Sequence, residues 1–182
     1  MARVKQITEK AELTGEYQHL FERMAQGHGG SVRGPYSILL YSPGVADKVD
    51  ALSASLRKDS ELGPEEHVVA ALAVARAKDC LFVWSVQAPN ARRAGVSEEA
   101  IAALRDRKTS GLSEDQADIA SYAQQLATGS RVDQATFDRL KDRHGVRWLV
   151  ELTATAGHFG LISGINNAFE VPPSEGGDQL PV

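Results

Sequence analysis

Residues 63–86 read GPEEHVVAALAVARAKDCLFVWSV, and this stretch decides the fold class. Gly63-Pro64-Glu65-Glu66 is a helix opening. Proline at the first helical position gives up no hydrogen bond, and carboxylates in the first turn sit where the helix dipole favours negative charge. From Val68 to Val86 the chain is strongly apolar and rich in alanine, the pattern of a helix buried on most sides. Pro89 closes that helix or kinks it. A helix of this kind needs other helices around it, so an all-α fold is expected.

The flanking sequence agrees. Thr8 can cap a helix to about Ala25 that ends in Gly27-His28-Gly29-Gly30, and Ser42-Pro43 opens another to about Lys58. Ser97-Glu98-Glu99 starts a short helix to about Arg105. Ser113 with Gln116 is a capping box for a helix to about Thr128, and Asp133 caps one to about Arg143. A last helix runs from about Val146 to Phe169 and stops before Val171-Pro172-Pro173. Only Tyr36–Tyr41 offers a short strand. The expectation is one domain over residues 1–182, a compact bundle of about six to eight helices. Residues 1–33 form a helical extension, and residues 172–182 an extended tail, loose or docked on a neighbour.

Composition narrows the function. At 182 residues, with 42% hydrophobic and 24% charged, the chain is too apolar for disorder. A net charge of −4 argues against nucleic-acid binding, which needs cations to displace phosphate counterions. No stretch reaches the roughly 20 apolar residues of a membrane helix. The N-terminus has no apolar signal core, and the single cysteine, Cys80, cannot form an internal disulfide, so a cytoplasmic location is expected.

Two stripes stand out as candidate sites. Cys80, Val83, Trp84 and Gln87 share one helical face, at spacings of 3, 4 and 7. They either line a small-molecule pocket or are core, the commoner fate of a lone thiol and an indole. Glu151, Thr155 and His158 form a polar stripe inside the apolar last helix. Polar groups there need a pocket, an interface or water, since burying one unsatisfied costs on the order of 1–3 kcal/mol. His19, His28, His67 and His144 read as surface residues among charged neighbours. No histidine or cysteine pair has metal-ligand spacing, so no metal is expected. No phosphate loop or serine elbow is present either.

Taken in order, several segments resemble the carboxymuconolactone decarboxylase family, which includes the alkylhydroperoxidase D-like proteins. These are Gly34-Pro35-Tyr36 with Leu39-Leu-Tyr-Ser-Pro43; Leu62-Gly-Pro-Glu-Glu; Ala73 to Cys80; and Trp84. They continue with Ala91-Arg-Arg-Ala-Gly95 through Ile101, Glu151-Leu152 with Gly157, and Asn167 to Pro172. The resemblance implies an alkylhydroperoxidase D-like all-α bundle without a cofactor, assembled as a homo-oligomer (trimer, hexamer or dimer).

Hydroperoxidase-like members use a Glu, a Cys-x-x-Cys pair and a His four residues on, whereas the decarboxylase members use acid–base residues around the same pocket. In this chain Cys80 matches the first Cys, but the second falls on Val83, the His on Gln87 and the Glu on Val68. An intramolecular dithiol cycle is therefore excluded. Many relatives carry an aromatic residue where His158 stands and a His where Tyr41 stands.

The leading expectation is a cofactor-free lyase or isomerase acting on a small organic acid or lactone, with His158 as general acid or base. Cys80 is the other catalytic candidate, and Tyr41, Val83, Trp84, Gln87 and Glu151 are expected to line the substrate site. The alternatives are a one-cysteine peroxidase that needs an external thiol, and a non-catalytic binding protein. A cavity shared by His158 and Cys80 favours catalysis; one filled by Trp84 and Phe159 favours the last.

Overall fold

Eight consecutive side chains of one helix, Val68 to Ala75, are buried, and the bundle is arranged around them. A computed structural model describes residues 2–181. Among these are nine α-helices and no strand. They are α1 (Gln18–Gly27), α2 (Pro35–Leu39), α3 (Pro43–Lys58), α4 (Pro64–Ala77), α5 (Leu81–Arg93), α6 (Glu98–Arg105), α7 (Glu114–Gly129), α8 (Gln134–His144) and α9 (Val146–Ala168). The central helix, α4, packs against α5, α7 and α9. No helix among the described residues is long and apolar enough to cross a membrane.

Three of the small polar residues expected to cap helices do so, whereas Ser42 precedes α3 without a side-chain cap bond and Thr8 caps no α-helix. The Ser97, Ser113 and Asp133 side chains accept from the backbone N–H groups of Ala100, Gln116 and Thr136 at 3.1, 3.2 and 2.9 Å.

The apolar run splits where one helix was expected. The N–H groups of Lys78 and Cys80 bond back to the carbonyls of Val74 and Ala75, at 2.9 and 2.8 Å, with Asp79 between them at φ 46. Distant partners hold this break open. Asn167 donates to the Lys78 carbonyl at 2.8 Å, and Arg76 and Arg107 both bond the Asp79 carboxylate. Cys80 is therefore the residue that starts α5, not the interior of a long helix, and Pro89 lies within α5.

Two other expectations are corrected. Tyr36–Tyr41 is not a strand: residues 35–39 form the fully buried helix α2, entered through Gly34 at φ 62. The first helix starts at Gln18, after two 3-10 turns at Lys10–Glu12 and Gly15–Tyr17.

The C-terminal segment is neither loose nor carried to a neighbour; it straps back over α5. Pro89 has no N–H to offer the Ser85 carbonyl, and at that turn the strap docks. The Ser174 N–H donates to Ser85 Oγ at 3.1 Å, and Arg92 donates twice to Asp178, at 2.7 Å each. Gly177 lies so close on Ser85 that a Cβ would clash, and Leu180 is buried.

Candidate active site

A cavity of about 950 Å³ opens between the α1–α2 loop, α3, the start of α4, α5, α9 and the C-terminal strap. Its apolar wall includes Val68, Phe82, Val83, Phe159 and Ile162. Gly34 lets the α1–α2 loop press on Phe82, because any Cβ there would overlap the ring. Val68, Val83 and Gln87, the three positions where the family's Glu, second Cys and His would fall, all line this one cavity. Two are apolar, and the third is an amide whose Oε1 accepts from Asn90 at 3.0 Å.

The polar groups are elsewhere on the wall. His158 lines the cavity from α9 at 7% exposure, and its Nδ1 is buried without a partner. His67, in the first turns of α4, has the same orphaned Nδ1. Both rings meet the edge of Phe159, with centroids at 5.4 and 5.5 Å. Burial, then the charge of Arg57, pushes His67 down to about 4. Burial, then the charges of His67, Arg57 and His28, does the same for His158, also to about 4. Both are neutral imidazoles at neutral pH.

Beside them, His28 Nε2 sits 2.8 Å from Asp50 Oδ1, with its ring 4.2 Å from that of Tyr36. Burial raises the Tyr36 phenol, opposed by Ser53 and Arg57. Arg33, Arg57 and Arg93 also line the cavity, and none forms an ion pair with a described residue. Most other arginines of this net-acidic chain are ion-paired. The cavity therefore presents cationic groups to an anion.

Several expected site residues lie outside the cavity. Cys80 is fully buried beneath it among Ser163, Asn166 and the first turn of α5. Burial pushes its thiol up, outweighing the N–H groups of Val83 and Phe82 that favour the thiolate. Trp84, 1% exposed, is core. Tyr41 is 59% exposed and donates to the Lys5 carbonyl at 2.8 Å, so it faces away from the cavity wall rather than opposite His158. Glu151 instead ties the α3–α4 loop to α9, accepting from Ser60 Oγ at 2.9 Å and Glu61 N–H at 2.6 Å.

Sequence reasoning placed His28 and His67 on the surface, whereas both are cavity residues. For His67 the signal was the eight buried residues that follow it. A residue opening so enclosed a helix has little surface to face.

Among the described residues one trio, Glu66, Asp115 and His144, brings ligand-type atoms within 4.8 Å of one another. Its groups are already engaged: His144 Nε2 with Asp115 at 2.8 Å, and Glu66 with the Trp148 indole N–H at 3.1 Å.

Known structures share this arrangement of helices. A peroxidase-related protein with an alkylhydroperoxidase AhpD core from Ralstonia eutropha JMP134 superposes with a TM-score of 0.79 at 17% identity, over 96% of this chain and 93% of that one. A peroxidase-related protein from Silicibacter sp. TM1040 gives 0.76 at 18% identity, over 96% and 95%. The debrominase Bmp8, solved with 2,3,4-tribromopyrrole, gives 0.71 at 15% identity, over 96% and 94%. Comparison with curated proteins gives no match. The sequence model of the carboxymuconolactone decarboxylase family matches residues 43–125. Residues 43–125 are thus similar to the carboxymuconolactone decarboxylase family, within a fold shared with the AhpD-core structures.

The matched segment and the titratable groups of the cavity only partly coincide. Val68, Val83 and Gln87 lie inside residues 43–125, as do Asp50, Arg57 and His67. His28 and Tyr36 come from before that segment, and His158 and the strap from after it. The cavity therefore draws its walls from inside and outside the matched segment.

Proposed function

We propose that this protein is a carboxymuconolactone decarboxylase-like, cofactor-free enzyme that performs acid–base chemistry on a small organic acid or lactone: decarboxylation, isomerisation or lactone opening. The observation that carries the reading is His158, a neutral imidazole that lines a ligand-sized cavity and whose buried Nδ1 has no partner. A neutral imidazole beside a substrate carbonyl hydrogen-bonds the oxygen on which charge develops without first having to lose a proton. Arg57, unpaired on the same wall, supplies a cation for a carboxylate or an enolate.

Cys80 supports the peroxidase alternative poorly, being buried, off the cavity wall and disfavoured as a thiolate. The exposed Val146, Val150 and Leu161 along α9 favour assembly with further copies of the chain.

The test is a panel of γ-lactones, 2-oxo acids and unsaturated acids incubated with the protein in D2O and followed by proton NMR. Deuterium uptake or conversion of at least one compound is expected, lowered about 100-fold or more in His158→Gln and unchanged in Cys80→Ser. A panel with no conversion, or full activity in His158→Gln, overturns the reading. Peroxide consumption that disappears in Cys80→Ser would favour the one-cysteine alternative.

A further inference from the structure

The cavity holds three histidines in two unlike settings, and the difference assigns them different work. His67 and His158 lie against apolar groups with an orphaned Nδ1 each. His28 lies on the Gly27–Gly30 turn that ends α1, outside the segment shared with the family, and is the one with a carboxylate partner. Asp50 reaches it from α3, itself only 9% exposed.

A carboxylate can only accept, so Nε2 of His28 carries the hydrogen and the neutral ring keeps its lone pair on Nδ1. Asp50 of α3 and Tyr36 of α2 touch the ring, and Arg57 of α3 and His158 of α9 line the same cavity. Of these, Asp50 alone is an anion in hydrogen-bond contact with the ring.

We propose that His28 is a catalytic base of this cavity, with Asp50 as the positioning residue that fixes its tautomer and balances its charge. The inference rests on the acid–base reading above and divides the labour within it. His28 Nδ1 takes a proton from the carbon next to the substrate carbonyl. The C–H electron pair moves into the carbonyl as an enolate, and the ring becomes an imidazolium paired with Asp50. His158 donates a hydrogen bond to the enolate oxygen. Return of the proton from His28 to a second carbon of the conjugated system completes an isomerisation with no oxidant or reductant consumed.

The experiment uses the full chain with α-angelica lactone and the panel above in D2O, together with nitrogen-15 NMR of the histidine rings at neutral pH. His28→Gln is expected to lower kcat about 100-fold with KM changed less than about threefold. Asp50→Asn should lower kcat about tenfold or more and mix the two His28 tautomers, and Asp50→Glu should recover part of the loss.

A His28 ring protonated on Nδ1 in the wild type overturns the assignment. So does His28→Gln retaining at least half of wild-type kcat while His158→Gln is inactive, an outcome that leaves the acid–base reading standing. Wild-type protein inert toward every compound overturns that reading, and this inference with it.

Discussion

Arg92 donates two hydrogen bonds of 2.7 Å to the carboxylate of Asp178, and this pair fastens the strap that forms one wall of the cavity. Arg92 also reaches Glu98 at the start of α6, so the strap, α5 and α6 share one guanidinium. The pair is partly exposed, at 38% and 27% for the two side chains, so its worth to global stability is about 1 kcal/mol or less. Its effect is local. Arg92→Ala is expected to speed amide hydrogen exchange over residues 174–178 while leaving Tm within a few degrees of wild type. Unchanged exchange there would mean that Leu180 and Ser85 hold the strap by themselves.

Gly34 sits at φ 62 with its α-carbon against the Phe82 ring. Gly34→Ala meets both a left-handed backbone penalty and a ring that cannot retreat without filling the cavity. A loss of about 2 kcal/mol or more is expected in urea unfolding. A substitution that proves neutral would show the α1–α2 loop to be free to lift off α5.

The two buried histidines make stability depend on pH over a defined window. Both have a folded-state pKa of about 4, below the ordinary 6.5. Above pH 6.5 they are neutral in the folded and the unfolded chain and contribute no pH dependence. As pH falls from 6.5 toward 4 the unfolded chain binds protons that the folded chain refuses, so stability is lost across that range. The loss is on the order of 3 kcal/mol per histidine by pH 4. A His67→Gln/His158→Gln double variant is expected to lose much less between pH 7 and pH 4.5 when both proteins are unfolded in urea. Parallel losses would show that the rings are wet in the folded state.

Cys80 is expected to be chemically silent in the folded protein, because it is fully buried and its thiol is pushed up by that burial. A disulfide reagent such as dithionitrobenzoate should label it at least about 100-fold more slowly in buffer than in urea. Dimedone should trap no sulfenic acid after peroxide treatment. Rapid labelling of the native protein would reopen the peroxidase reading.

What could be read from the sequence was what depends on near neighbours. The buried run of α4 and the caps at Ser97, Ser113 and Asp133 rest on residues one to four apart, and those elements formed as read. The break at Asp79 rests on Asn167 and Arg107, and the strap on Ser85 and Arg92, partners that no local pattern reveals.

The same distinction governs the site. His158 was legible as a polar residue on an apolar helix. His28 was hidden by its glycine-rich turn, and His67 by the acidic residues before it. Tyr41 and Trp84 show the converse error: an aromatic residue near a family motif is not thereby a pocket residue, since one is held outside by Lys5 and the other is fully enclosed.

The walls of the cavity come from widely separated parts of the chain, with His28 early, His158 late and residues 174–177 later still. During synthesis the apolar frame around α4 can collapse before the strap has left the ribosome, and at that stage the pocket is an open trough. A chain cut short before residue 174 would keep a helical core while lacking one side of the chamber. Addition of residues 174–177 would then be the step that walls the histidines in on that side.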